Sequence, residues 1–183
     1  MIQLFFSPVG RISNEVFPDL AVFNVEYTAV FGKTIKGIKR DLVSRMSSGT
    51  DILFDLYIKS EESQAMTKVH SRDKISDLPL SNNSIRFYVD IYKFKHENFV
   101  NLDIELTQGN CSMILHKSKS FSFVQMYIRS KIPNLKSHEA IFCFIEDASK
   151  THVLVPLNYT LAQIAQQYGN EIKVKVVIEN VFG

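Results

Sequence analysis

The amino-acid sequence predicts an α+β protein in which one small domain occurs twice. Three observations carry this prediction: segments of alternating apolar residues typical of strands, one amphipathic helix in each half, and the same order of elements in both halves. At 183 residues with 45% hydrophobic residues, the chain is long enough and apolar enough for two cores.

The first half begins with a predicted hairpin and a helix. Apolar residues alternate from Ile2 to Phe6 and again over residues 23–29, which predicts two strands. From residue 34 to residue 46 the apolar spacing becomes three and four, which predicts a helix that buries one stripe. The stripe consists of Ile35, Ile38, Leu42 and Met46.

The rest of the first half consists of strands and a connection. Alternation predicts strands over residues 52–58 and 85–91, and the polar stretch over residues 60–74 shows no period. A short, mostly polar segment follows, so we expect the domains to span residues 1–96 and 97–183.

The second half repeats this order. Two alternating runs around Gly109 predict a hairpin, and a helix is expected to begin with Ser122 as its cap, paired with Gln125, and to end before Pro133. Its predicted buried stripe consists of Phe123, Val124, Tyr127 and Ile128. The later predicted elements are a strand over residues 141–145, an edge strand over 153–155, a helical turn over 161–168 and a last strand over 172–178.

This repeated order resembles the ubiquitin-like family in tandem. Three local features of the second half carry the resemblance: the helix over residues 123–131 after a hairpin, the turn and short helix over residues 156–164, and the ending Val181-Phe182-Gly183. The resemblance implies two tandem β-grasp domains, each a mixed sheet with one main helix packed across it. The Arg-Gly-Gly ending of ubiquitin itself is absent.

The ending indicates a protein modifier. Glycine leaves its carboxylate free of side-chain crowding, which suits adenylation and transfer as a thioester. The Phe-Gly ending is similar to that of the autophagy-type modifiers, whereas the two-domain layout resembles the interferon-stimulated di-ubiquitin-like modifier and its bacterial antiphage counterparts. These resemblances imply conjugation through Gly183, recognition of Phe182 and Val181 by an activating enzyme, and a role in antiviral or antiphage defence.

The resemblance also implies partners. They are an activating enzyme that uses ATP, a conjugating enzyme, a deconjugating peptidase, and target proteins modified on lysine or another amine. The chain by itself is expected to bind no cofactor. An alternative remains open, in which Val181 and Phe182 complete the last strand and pack. The tandem domains would then be a non-conjugated adaptor or scaffold that binds partner proteins through sheet faces or edge strands.

Composition argues against other function classes. A net charge of +2 gives no strong attraction to nucleic acid or membranes, and no apolar run reaches the roughly 20 residues of a membrane helix. The first residues show no basic leader, so a cytoplasmic protein is expected. The basic helix face is interpreted as solvated surface; it consists of Lys33, Lys36, Lys39 and Arg40.

No catalytic or metal-binding motif occurs in the sequence, so we expect neither an enzyme nor a metal site. Cys111 and Cys143 are interpreted as reduced core thiols, and Cys143 as a poor nucleophile within an apolar run. Scattered histidines such as His116 and His152 are expected at the surface.

Overall fold

The structure is a computed structural model, and it describes residues 1–16, 19–23, 27–46, 51–60, 64–133, 135–136, 139–147 and 149–180. The chain divides into two compact units, Met1–Lys95 and His96–Gly183. Among the described residues, each unit forms one five-stranded sheet.

The elements of the first unit begin and end as follows. Its strands are β1 (Ile2–Val9), β2 (Tyr27–Ala29), β3 (Ile52–Lys59), β4 (Met66–Lys68) and β5 (Ser84–Phe94), and its α-helices are α1 (Arg11–Val16) and α2 (Ile35–Met46). Short 3-10 helices occur at Ala21–Phe23 and Ile75–Asp77.

The strands of the first sheet follow the order β2-β1-β5-β3-β4. The neighbours β1 and β5 are parallel, with Phe6 opposite Phe87, and all other neighbours are antiparallel. Alternate residues of β1 are buried, as the period of two requires of a strand with one covered face. The predicted stripe of α2 is fully buried as well, so this helix and one face of the sheet share the core.

The second unit repeats these elements. Its strands are β6 (Phe99–Leu106), β7 (Gly109–His116), β8 (Glu139–Glu146), β9 (His152–Leu154) and β10 (Glu171–Asn180), and its α-helices are α3 (Phe121–Lys131) and α4 (Leu161–Tyr168). The sheet order is β7-β6-β10-β8-β9, with β6 and β10 parallel and the other neighbours antiparallel.

Both sheets therefore share one topology. In each, the first and last strands are central and parallel, and a helix that follows the second strand buries one stripe of its side chains. This is the β-grasp arrangement, and it confirms the predicted fold class of two tandem β-grasp domains. No helix of the described residues combines the length and the apolar character needed to cross a bilayer.

Three predicted details of the first unit are wrong or incomplete. Phe23 lies in a 3-10 helix, and the predicted strand over residues 23–29 is reduced to Tyr27–Ala29, with residues 24–26 outside the described part. Helix α1 was not predicted, because it buries only Ser13 and Val16 over six residues. Strand β4 was also missed, because all of its residues are exposed and carry no alternation.

The predicted start of α3 is also wrong. The N-cap is Ser120, the helix begins at Phe121, and Ser122 lies in its first turn. Gln125 forms no capping box; its side-chain N–H donates to the carbonyl oxygen of Ile141 at 2.8 Å and links α3 to β8. The earlier start places Phe121 in the core with 0% exposure and leaves Phe123 half-buried. A capping box instead begins α4, between Thr160 and Gln163.

Two substitutions on α3 test its orientation. Ile128 is 0% exposed and Met126 is 62% exposed. Ile128→Ala should lower the free energy of unfolding by about 2–4 kcal/mol, because it empties a packed site. Met126→Ala should change it by less than about 0.5 kcal/mol. Equal shifts in a urea titration would show that the helix presents a different face to the core.

Candidate functional site

The predicted site residues follow β10. Val181, Phe182 and Gly183 lie outside the described residues, and the structure describes the chain leading to them as far as Asn180. Strand β10 extends two residues beyond the predicted end at residue 178. Three residues therefore follow the end of the strand in the sequence, and Gly183 is the third of them.

The two ends of strand β10 differ in how many neighbouring strands they pair with. Over Glu171–Lys175 it pairs with β6, and over Val174–Asn180 it pairs with β8. The residues after Lys175 thus have β8 as their one ladder partner among the described strands. The side chains of Glu179 and Asn180 are exposed. The strand consequently leaves the domain at a solvent-accessible edge of the core.

A small cavity of about 210 Å³ lies beside this open half of β10. Val176 and Ile178 line it from β10, the turn after Leu106 lines it from β6, and Lys131 and Ile132 line it from the end of α3. Apolar and basic side chains thus border the path by which the chain leaves the sheet.

Of the two cysteines predicted as core thiols, Cys143 is buried and Cys111 is only half-buried. Cys143 is buried on β8, and this burial raises the pKa of its thiol to about 11, so the thiol stays protonated at neutral pH. Burial also raises the pKa of the half-buried Cys111 thiol. A protonated thiol is a weak nucleophile.

The expectation that the histidines lie at the surface is wrong for His116. Its side chain is 7% exposed, its ring meets the ring of Phe99 edge-on with centroids 5.2 Å apart, and its Nδ1 accepts the backbone N–H of Ser118 at 3.1 Å. His116 ends β7 directly opposite Phe99 of β6, and this cross-strand ring contributes to its burial. His152 is exposed on β9. Within the described residues, no three histidine, cysteine or acidic side chains are grouped closely enough to hold a metal ion.

The basic face of α2 is partly neutralised by neighbouring carboxylates. The Lys33 ammonium pairs with Asp41, which also accepts the Tyr27 hydroxyl at 2.8 Å. The hydrogen bond from Lys33, followed by that from Tyr27, holds the pKa of Asp41 below its ordinary value. Lys39 pairs with Asp55 at 3.0 Å. Lys39 therefore links α2 to β3, and the hydrogen bond from Tyr27 to Asp41 links β2 to α2.

The Asp55 carboxylate connects helix and sheet. Its oxygens accept Lys39 Nζ at 3.0 Å and Lys68 Nζ at 2.5 Å. Burial, the largest single influence, raises the pKa of Asp55, but the hydrogen bonds from Lys68 and Lys39 together outweigh it and leave the pKa lowered.

This lowered pKa predicts a pH-dependent contribution to stability. A carboxylate with a lower pKa in the folded state stabilises fully above its unfolded pKa of about 3.9, and loses that contribution as the pH falls through the folded value. Asp55→Asn should therefore destabilise the first unit at about pH 7, and the difference from the wild type should shrink toward about pH 2.5. Urea titrations at both pH values measure this. A difference that stays constant would show that the ion pairs are not its source.

Sequence reasoning missed one further surface. A groove of about 780 Å³ lies on the face of the first sheet opposite the core. Phe5, Arg86 and Tyr88 line it from the central strands, and Lys59 and Leu80 line it from the ends of neighbouring segments. The segments are far apart in the sequence, so no local motif could have indicated the groove.

Comparisons with known proteins add little to this description. No protein-family model matches the chain, and no curated protein matches it significantly. Among solved structures, ATG8 from Trypanosoma brucei is similar over 48% of this chain and 79% of its own length, with 17% sequence identity and a TM-score of 0.36. This degree of similarity carries no argument about function, and the fold assignment rests on strand order and pairing.

Proposed function

We propose that this chain is a ubiquitin-like protein modifier, activated at the Gly183 carboxylate and transferred through thioesters to an amine on target proteins. In this proposal the chain is the group that enzymes transfer, and it performs no catalysis itself. The proposal applies to a chain with a free carboxylate at Gly183, whether translation ends there or a peptidase exposes it.

The observation that carries the proposal is the course of β10. Its first half is fixed in the centre of the sheet by buried side chains, and its last residues are exposed. In the sequence, the segment Val181-Phe182-Gly183 follows directly on this exposed strand end. Three extended residues reach at most about 10 Å, so an enzyme channel would take the segment itself and contact the end of the strand.

The proposed chemistry needs only groups that the partners supply. The Gly183 carboxylate attacks the α-phosphate of ATP, forming an acyl adenylate and releasing pyrophosphate. A cysteine thiolate of the activating enzyme then displaces AMP to give a thioester. A second thiolate exchange moves the chain to the conjugating enzyme. Finally, a target amine attacks the thioester carbonyl, releases the thiol and forms an amide.

The partners follow from this chemistry. They are an activating enzyme, a conjugating enzyme, amine-bearing target proteins, and a peptidase that reverses the amide bond. The first unit adds surface for recognition by these enzymes or by proteins that bind the modified target. We place this activity in the cytoplasm, and the resemblance of the tandem layout to the interferon-stimulated di-ubiquitin-like modifier and its bacterial antiphage counterparts implies a role in antiviral or antiphage defence.

The direct test is an activation assay. The chain ending at Gly183 is incubated with ATP and a candidate activating enzyme, and the products are separated without reductant. An adduct that depends on ATP and disappears with reductant is expected. An adduct that forms equally without ATP would contradict adenylation of the carboxylate.

One observation favours a second function. Strand β7, eight residues long, forms an edge of the second sheet. An edge strand can pair with an extended peptide of a partner, as an adaptor would require. In this alternative a chain without Gly183 retains its partners and its cellular role, whereas a modifier without Gly183 loses covalent attachment.

A further inference from the structure

The groove on the outer face of the first sheet combines aromatic surface with positive charge. Phe5 is 39% exposed although it lies between Leu4 and Phe6, which are buried on the opposite face. Tyr88 follows on β5, two residues after Arg86, so both project to the same outer face. Leu80 is 40% exposed at the rim.

Arg86 is held in place by its neighbours. Its Nη1 donates to the Ser7 hydroxyl at 3.0 Å, and its guanidinium lies 5.8 Å from the centroid of the Phe5 ring. Arg86 and Phe5 are direct neighbours in the parallel β1–β5 pair. A guanidinium orientated by a ring and a hydroxyl needs little further ordering to donate its remaining N–H groups to a carboxylate.

The described part of the groove carries positive charge. Lys59 and Arg86 line it, and no acidic residue is among its described lining residues. Asp55, on the outer face of β3, already pairs with Lys39 and Lys68. Glu61 and Glu62 follow Lys59 closely in the sequence but lie outside the described residues.

We propose that this groove binds a short acidic peptide segment of a partner protein. An apolar side chain of the peptide packs against Phe5 and Tyr88, and its carboxylates pair with Arg86 and Lys59. The small number of cations favours a peptide over a nucleic acid. A nucleic-acid strand is bound through several phosphate contacts along a row of cations. The two cations of this groove can instead each pair with one carboxylate of a peptide. The proposal concerns the first unit and does not depend on chemistry at Gly183.

A fluorescent peptide about ten residues long is a suitable probe of the full chain if glutamate and phenylalanine take turns at every second position, because both side-chain types then lie on one face of the extended peptide. Matched peptides replace every glutamate by glutamine or every phenylalanine by alanine. Each replacement should raise the Kd at least about tenfold, because the first removes the carboxylates that pair with the two cations and the second removes the apolar side chains that pack on the aromatic rings. In an NMR titration, the amides of Phe5, Lys59 and Arg86 should shift. No saturable binding of the parent peptide, or equal binding of all three peptides, would overturn the proposal.

A pair of charge reversals locates the binding surface. Arg86→Glu should weaken binding of the parent peptide at least about tenfold. Lys173→Glu is the matched control, because Lys173 is exposed on β10, the central strand of the second sheet. It should leave the Kd unchanged. Lys59→Glu repeats the test at the second cation should Arg86→Glu unfold the chain.

Two outcomes would overturn the peptide assignment. Equal weakening by Lys173→Glu and Arg86→Glu would show nonspecific attraction to the whole chain. Tighter binding of a single-stranded RNA oligonucleotide or of phosphatidylserine vesicles, lost on Arg86→Glu, would assign the groove to phosphate recognition instead.

Discussion

Deletion of Gly183 is expected to abolish ATP-dependent thioester formation with the activating enzyme. The terminal carboxylate would then belong to Phe182, displaced by about 3.3 Å and crowded by a benzyl group. A misplacement of about 1 Å at a reacting centre already lowers a rate by about a hundredfold, so we expect at least that loss. The assay compares the initial rate of the reductant-sensitive adduct for the two chains.

Two variants and a folding control accompany the deletion. Gly183→Ala should act in the same direction but less completely, because it adds one methyl group without moving the carboxylate. Phe182→Asp should weaken recognition by the activating enzyme, because it replaces an apolar anchor with a charge. Urea unfolding of all variants should match the wild type. Undiminished thioester formation by the chain without Gly183 would exclude activation at this residue.

Truncation of Phe87 should produce the largest loss of stability among the substitutions considered. Phe87 is 0% exposed on β5, and its ring stacks on that of Phe6 with centroids 5.9 Å apart. Phe87→Ala should lower the free energy of unfolding of the first unit by about 3–5 kcal/mol, since it leaves a cavity between the central strands.

The control for Phe87→Ala lies on the same strand. Tyr92 is 55% exposed on β5, so Tyr92→Ala should change the free energy of unfolding by less than about 1 kcal/mol. Both values come from urea titrations. The slope of the unfolding free energy against urea concentration should be the same for each variant as for the wild type, which checks two-state behaviour. Equal losses would mean that the inner and outer faces of β5 are assigned incorrectly.

Strong periodicity made much of the fold predictable. The α2 stripe was predicted residue by residue, because Ile35, Ile38, Leu42 and Met46 are all buried at helical spacing. Alternation was equally informative for β1 and β10, whose inner residues are buried. Repetition of one element order in both halves then fixed the fold class, which the two identical sheet orders confirm.

Elements with little burial were not predictable. Strand β4 exposes Met66, Thr67 and Lys68, so its only signature is backbone pairing with β3. The start of α3 was misplaced because Ser120 and Ser122 both suit a cap in sequence, and burial of Phe121 decides between them. His116 was expected at the surface because sequence alone did not reveal that it packs on Phe99.

The two candidate sites also differ in whether the sequence alone could indicate them. Gly183 could be proposed from the sequence, since its chemistry is local to one residue and its two neighbours. The groove of the first unit could not, because Phe5 and Arg86 are 81 positions apart and meet through the parallel β1–β5 pair. Long-range pairing in a mixed sheet is not encoded in any short motif.

The most direct test of conjugation through Gly183 is the covalent bond itself. Trypsin cuts after Lys175, so each modified lysine would carry the eight-residue remnant Val-Val-Ile-Glu-Asn-Val-Phe-Gly. The tagged chain is expressed in cells, purified under denaturing conditions, digested and analysed by mass spectrometry. The account predicts branched peptides with this remnant on target lysines, and none from the chain without Gly183. The same covalent adducts from both chains, without the remnant, would contradict it.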